Sequence, residues 1–298
     1  QSMVNHVVQD SLGFIWFGTG DGLARFDGTR YSVFKHDLQD TTSLSNNAIW
    51  SITALDDGDL LVGTGTGLDR YDAHTARFSH LRTDVAPDGC WQFLRADQGR
   101  ILFYSPLSAT FLTMEGGTMR AFPSGHGPSY ALSTDPLGHR IRFHVWPDTL
   151  VDLDLVSGTE RWTILPPEVT GKVDEVMPMQ EGNLILTHDG AWIVNERGTA
   201  MPLPAEAGTI LRNAPGRKCA SRSPEGRLWF AVDNVGAMEV DEQWNVLQLH
   251  PLVSAEDRPL RLTSIAFDRQ GNCWVGSDGK GAFLQEIQRI DIACGGDG

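Results

Sequence analysis

Basic residues are scarce in this chain, with 24 Lys and Arg against 38 Asp and Glu, a formal net charge of −14 and a pI near 5.0. A chain this acidic lacks the positive footprint that a phosphate backbone requires, which excludes nucleic acid as a partner and disfavours an anionic membrane surface. The acids are spread over turns, as at Asp56-Asp57 and Asp233, and read as solvated surface. Cysteine is nearly as sparse. Cys90, Cys219, Cys273 and Cys294 show no CxxC or Cys/His spacing, so no metal set is expected. Buried free thiols and a Cys273–Cys294 disulfide both remain open. Long apolar runs are missing too: the longest are strand-length, so no segment reads as a membrane-spanning helix. No secretory leader precedes Gln1, and the chain reads as an excised or processed piece.

What is present is a repeat. Asp10 to Asp27, DSLGFIWFGTGDGLARFD, reads as turn, strand, glycine-rich reversal and strand. Its marker glycine returns at Gly13, Gly58, Gly99, Gly138, Gly182, Gly226 and Gly271, at spacings of 45, 41, 39, 44, 44 and 45 residues. Three positions after each marker comes an apolar residue: Trp16, Leu61, Leu102, Ile141, Ile185, Trp229 and Trp274. A second glycine reverses the chain at Gly22, Gly67, Gly190, Gly236 and Gly281, and the third and fourth units have lost it.

Runs of Val, Ile, Phe, Trp and Thr between Gly, Asp and Asn clusters are strand and turn chemistry, whereas helical repeats would place apolar residues at i, i+3 and i+4. A period of this size matches one propeller blade. The fold class expected is therefore all-β, a seven-bladed β-propeller of four-stranded antiparallel blades. Residues 1–298 form one domain on this reading, with blades at about 1–36, 46–82, 88–122, 128–164, 172–203, 216–250 and 260–294. Arg289 to Ala293 is expected to supply the last outer strand, so that the ring closes without a strand borrowed from the N-terminus.

The motifs DSLGFIWFGTGDGLARFDG, TTSLSNNAIWSI and LLVGTGTGLDRYD resemble the two-component regulator propeller repeat. Asp10, Gly13, Trp16, Gly18, Thr19, Gly22, Leu23, Phe26 and Asp27 carry the resemblance, the last blade follows it well and the middle blades weakly. The resemblance implies an extracytoplasmic sensor region, periplasmic or extracellular. Such regions commonly carry two propellers, a β-sandwich and a membrane helix ahead of a histidine kinase or diguanylate cyclase. It implies no catalytic residues, because the motif is a folding motif. It does imply a membrane tether in the full-length protein without direct membrane contact by this part.

Aligning the innermost strands on the marker glycine exposes one variable slot. Eight positions before the marker stand Asn5, Trp50, Trp91, Tyr130, Asp174, Lys218 and Thr263, whereas two positions later the residues are uniformly apolar. Three aromatics followed by an acid and a base suit a sugar-like or aromatic ligand, with rings stacked on one side and hydroxyls clamped on the other. Trp50, Trp91, Tyr130, Asp174 and Lys218 are thus the candidate ligand-binding residues. Core packing accounts for each aromatic, and an exposed loop for each charge, just as well. Lone histidines such as His6 and His188 read as solvated. Neither a catalytic set nor a cofactor motif is present. The function expected is a non-enzymatic ligand-sensing domain, binding an unidentified small molecule or saccharide and working as a homodimer. The alternatives are a propeller lyase or hydrolase, in which Asp174 and Lys218 form the only aligned acid–base pair, and a protein-docking scaffold.

Overall fold

The computed structural model describes residues 3–81, 92–95, 101–105, 110–115, 118–123, 129–134, 138–169, 171–252 and 260–285. Within them lie seven antiparallel sheets, each formed by strands consecutive in sequence. The first holds β1 (Val4–Gln9), β2 (Ile15–Thr19), β3 (Gly22–Phe26) and β4 (Tyr31–Phe34), and the second β5 (Ile49–Ala54), β6 (Leu60–Thr64), β7 (Gly67–Asp72) and β8 (Arg77–Leu81). The third holds β9 (Gln92–Arg95), β10 (Ile101–Ser105), β11 (Thr110–Glu115) and β12 (Thr118–Pro123). The fourth holds β13 (Ser129–Thr134), β14 (Arg140–Val145), β15 (Thr149–Asp154) and β16 (Glu160–Ile164). In the fifth, β17 (Val173–Met179), β18 (Gly182–Thr187), β19 (Gly190–Val194) and β20 (Ala200–Pro202) precede a helix, α1 (Ala205–Asn213). The sixth has β21 (Lys218–Arg222), β22 (Leu228–Val232), β23 (Gly236–Val240) and β24 (Val246–Pro251), and the seventh β25 (Leu262–Phe267), β26 (Cys273–Ser277) and β27 (Ala282–Gln285). A fourth strand at 289–293 lies outside the described residues.

The first strand of each sheet lies beside the first strand of the next, and β25 of the last sheet lies beside β1 of the first. Every sheet therefore finds a neighbour for both faces. The first sheet shows this plainly. One face puts Trp16 and Leu23 into a cluster with Ile49, Ile52, Val62 and Tyr71 of the second sheet. The other packs Val7, Ile15 and Phe17 against Trp274 of the seventh. Arg25 lies over the Phe14 ring at 4.7 Å and the Trp16 ring at 5.6 Å, so a cation covers the edge of the aromatic cluster.

The repeat motif has a mechanical explanation. Asp10 is 3% exposed; its Oδ1 accepts the N–H groups of Leu12 (3.0 Å) and Phe14 (2.9 Å), and its Oδ2 accepts the indole Nε1 of Trp16 (2.7 Å). Asp268 repeats the bracket with Gln270 (3.0 Å), Asn272 (2.8 Å) and Trp274 (3.0 Å). One carboxylate thus closes the turn and anchors the tryptophan that fills the gap between sheets. The reversal glycines serve close approach: a Cβ on Gly22 (φ +120°) would meet Phe34 O at 2.6 Å, and on Gly236 (φ +126°) His250 O at 2.1 Å. The fourth sheet manages without such a glycine, because Trp146, Pro147 and Asp148 span the reversal between the paired residues Val145 and Thr149.

The helix α1 was not expected from the sequence. It occupies the crossing from the fifth to the sixth sheet and buries Ala207 and Leu211 in the cluster that joins them. Gly208 is obligatory there, since a Cβ would stand 1.8 Å from Leu203 O. Cys219 and Cys273 are buried free thiols, and burial raises both to about 12. Cys90 and Cys294 lie outside the described residues.

Candidate functional site

Four of the innermost strands, β1, β5, β17 and β25, carry a shared irregularity where they begin. Register shifts fall between Val4 and His6, Ile49 and Ser51, Val173 and Glu175, and Leu262 and Ser264. The extra residue in each bulge is Asn5, Trp50, Asp174 or Thr263, which are members of the variable slot. A bulged residue leaves the alternation of the pleat, and its side chain is re-aimed. Three of these side chains reach the next innermost strand. Asn5 Nδ2 donates to Ile49 O at 2.7 Å, Thr263 Oγ1 donates to Val4 O, and Asp174 Oδ2 accepts the N–H of Lys218 at 3.2 Å. At these positions the slot latches one sheet to the next.

The five sequence-selected residues are only partly brought together. Asp174 and Lys218 are in contact. The Asp174 carboxylate, 3% exposed, also lies 3.0 Å from His188 Nδ1, without hydrogen-bond geometry between them. Desolvation raises its affinity for the proton, opposed by His188 and the Lys218 N–H. Lys218 is fully buried, and its ammonium donates to Thr187 O (2.9 Å), His188 O (2.9 Å) and Gly216 O (3.1 Å). All three ammonium hydrogens have acceptors, so none is left for a substrate. Burial pulls its pKa below that of a free lysine, against the pull of Asp174. Trp50 sits half-buried in the second sheet. Tyr130 pairs through its backbone with His144, while its side chain, like the whole of Trp91, lies outside the described part.

A neighbouring position escaped the sequence reading. Seven residues before each marker stand His6, Ser51, Gln92, Ala131, Glu175, Cys219 and Ser264, predominantly polar, and half-buried at His6, Gln92, Ala131, Glu175 and Ser264. Desolvation raises Glu175 from 4.5 to about 7, although its carboxylate accepts the Ala220 N–H at 2.8 Å. Desolvation likewise lowers His6 to about 4, and its Nδ1 is buried without a partner. His6 is not the solvated residue expected, since it lies within β1, whereas the His188 side chain is 40% exposed. The signal that marks this ring is a polar residue repeated beside an invariantly apolar one.

A cavity of about 760 Å³ opens at the opposite end of the same strands. It is bounded by the strand ends and turns of five sheets, through Gln9, Ala54, Arg95, Arg222 and Arg269 among others. Its floor is apolar, from Val7, Ala54, Ala266 and Phe267. The cations differ in how they are held. Arg269 is tied down by Gln9 Oε1 (3.3 Å), Ser11 O (3.2 Å) and Asp10 O (2.7 Å). Arg95 donates to Ala54 O and pairs with Asp56 at 3.2 Å, the two side chains being 53% and 89% exposed. Among the described residues, Arg222 donates to Gly226 O (3.2 Å) and to the thioether of Met179 (3.2 Å) alone. Among the described residues, no cluster of His, Cys, Asp and Glu has metal-binding geometry, and no helix is long and apolar enough to cross a membrane.

No family profile matches the chain. A stretch of 45 residues, 15% of the chain, is 44% identical to histidine kinase P4 of Formosa agariphila and covers 3% of that protein. The extracellular domain of the hybrid two-component system BT3049 from B. thetaiotaomicron superposes with a TM-score of 0.75 at 18% identity, over 95% of this chain and 39% of that one. Virginiamycin B lyase from Staphylococcus aureus superposes with a TM-score of 0.70 at 11% identity, over 96% of both chains. The WD40 β-propeller domain of Doa1 gives 0.70 at 11% identity, over 97% of this chain and 94% of that one. The chain therefore spans well under half of the sensor domain it matches and nearly the whole of a lyase. By its repeats and its sheets together, this chain has a β-propeller fold, similar to that of the BT3049 extracellular domain, of a bacterial lyase and of a WD40 domain.

Proposed function

We propose that the seven sheets are the blades of one closed, seven-bladed propeller, and that it is the ligand-sensing part of an extracytoplasmic receptor, periplasmic or extracellular in location. The observation that carries this reading is the superposition on the BT3049 extracellular domain over 95% of the chain. The local identity to a histidine kinase supports it from the sequence side. The domain works without catalysis. A small molecule, a saccharide by the reading of Trp50, Trp91 and Tyr130, binds where the innermost strands begin, and Asp174 and Lys218, their polar groups taken by neighbouring strands, brace that end rather than contact the ligand. Binding then shifts the balance between arrangements of whole propellers within a homodimer, because a ring of interlocked sheets deforms little internally.

Thermal-shift screening of a panel of neutral and acidic glycans against the wild-type chain and Trp50→Ala tests the reading. A saccharide that raises the unfolding temperature without being consumed supports it. A panel with no binder, or a ligand converted to product, overturns it. A lyase is the second reading, favoured by the match over 96% of virginiamycin B lyase. The saturated ammonium of Lys218 counts against it, since the acid–base pair that the sequence offered has lost its acid.

A further inference from the structure

We infer that the cavity between the five strand ends takes a small ligand bearing a carboxylate, held by Arg222 and Arg95. This site lies at the other strand ends from the aromatic positions of the sensing proposal, goes beyond that proposal and rests on it. The argument begins with an inventory of charge around the cavity. Among the described residues three arginines border it, and so do three acids, Asp10, Asp56 and Asp268. Two of those acids are already committed: Asp10 and Asp268 are 3% and 5% exposed, and their oxygens close their own turns and hold Trp16 and Trp274. Arg269 is likewise committed, to one side chain and two backbone carbonyls. What remains available is Arg222, Arg95 and the exposed Asp56.

Arg222 is the informative residue. Its guanidinium meets one carbonyl and a thioether, which is a weak acceptor, in a protein with fourteen more negative than positive charges. An arginine facing a cavity with no carboxylate of its own fits an anionic group brought by a ligand, and its planar fork suits a carboxylate. Arg95 donates from one nitrogen to the Ala54 carbonyl and turns the other to Asp56 in an exposed pair, which is weak and easily exchanged for a ligand anion. The apolar floor supplies the other half of recognition, a surface for the C–H face of a ring. A volume of about 760 Å³ suits a ligand of one to a few rings. A uronic-acid sugar and a free organic acid share this chemistry.

The test is calorimetric titration of the purified chain with a uronic-acid disaccharide, its neutral disaccharide counterpart and citrate, at low and high salt. Arg222→Met is compared with Arg161→Ala, a control whose exposed pair with Glu196 lies far along the chain from the cavity residues. At least one carboxylate ligand is expected to bind roughly tenfold or more tightly than the neutral sugar, more weakly at high salt, and to lose about tenfold or more with Arg222→Met while Arg161→Ala is unaffected. Preference for the disaccharide identifies a uronate, and preference for citrate a free acid; both uphold the inference. Equal binding of the neutral sugar, no binding of either acid, or full binding by Arg222→Met with an unchanged unfolding temperature overturns it. A neutral glycan that binds regardless of Arg222 would remove this site while leaving the sensing proposal in place.

Discussion

The two ends of the innermost strands make opposite use of polar residues. At the starting end, Asn5, Asp174, Thr263 and Lys218 are spent on neighbouring strands, with almost every hydrogen-bonding group paired. At the finishing end, Arg222 and Arg95 border open space with weak partners. Variable polar residues on a repeat thus have two distinct origins: holding the repeats together, and meeting something else. Burial and partner quality separate them, and sequence variation alone does not.

Substitutions can break or sharpen this contrast. The largest effect belongs to Lys218→Met, which strips one buried and two part-buried carbonyls of their donor; a loss of about 3 kcal/mol in urea unfolding is expected, and an unchanged midpoint would contradict the latch role. Asp10→Ala should follow at about 2 kcal/mol, since it frees two turn N–H groups and the Trp16 indole together.

Glu175→Gln tests the ring beside the latches. Glu175 holds its proton to about pH 7 in the fold against 4.5 when unfolded, so its stabilising contribution is complete at low pH and is lost as pH rises from 4.5 through 7. His6 runs the other way: its neutral form stabilises above 6.5, and the contribution is lost as pH falls toward 4. The two slopes oppose each other between 4.5 and 6.5 in the wild type. Removing the carboxyl should raise stability at pH 8 by on the order of 1–2 kcal/mol and unmask a fall on acidification, read from unfolding midpoints across pH. Thr263→Val should cost about 1 kcal/mol by removing the latch to Val4. Arg222→Met should leave stability within about 0.5 kcal/mol, which makes it the cleanest contrast with Lys218→Met.

The repeat was legible because its parts are local. A turn aspartate, a glycine with positive φ and a tryptophan six residues on form one hydrogen-bonded bracket, and such a unit leaves its full signature in a short stretch. The sheets without that signature were legible only through spacing, as with the fourth, where Trp146-Pro147-Asp148 replaces the reversal glycine. The helix was invisible for a different reason. Ala205, Glu206, Ala207, Leu211 and Arg212 favour helix, but nine residues interrupted by Gly208 and Thr209 are too few to hold one alone, and the segment is held by the pocket that Leu203 and the fifth and sixth sheets offer it. The variable slot was found, but its setting was not. A bulge adds one residue without changing composition, so strict alternation cannot register it. The cavity left no trace at all, because the residues that bound it come from turns up to about 260 positions apart that nothing but closure brings together.

That closure is concentrated at one seam. Thr263 donates to Val4 O, Arg269 reaches Gln9, Ser11 and Asp10, and Gln9 meets Gln270, all across separations of 258 to 261 residues. During synthesis, Val7, Ile15 and Phe17 must wait with one side bare until Trp274 emerges from the ribosome. The earliest part of the chain to form is the last to be sheltered, and a truncation that spares every other sheet would still leave it exposed to aggregation.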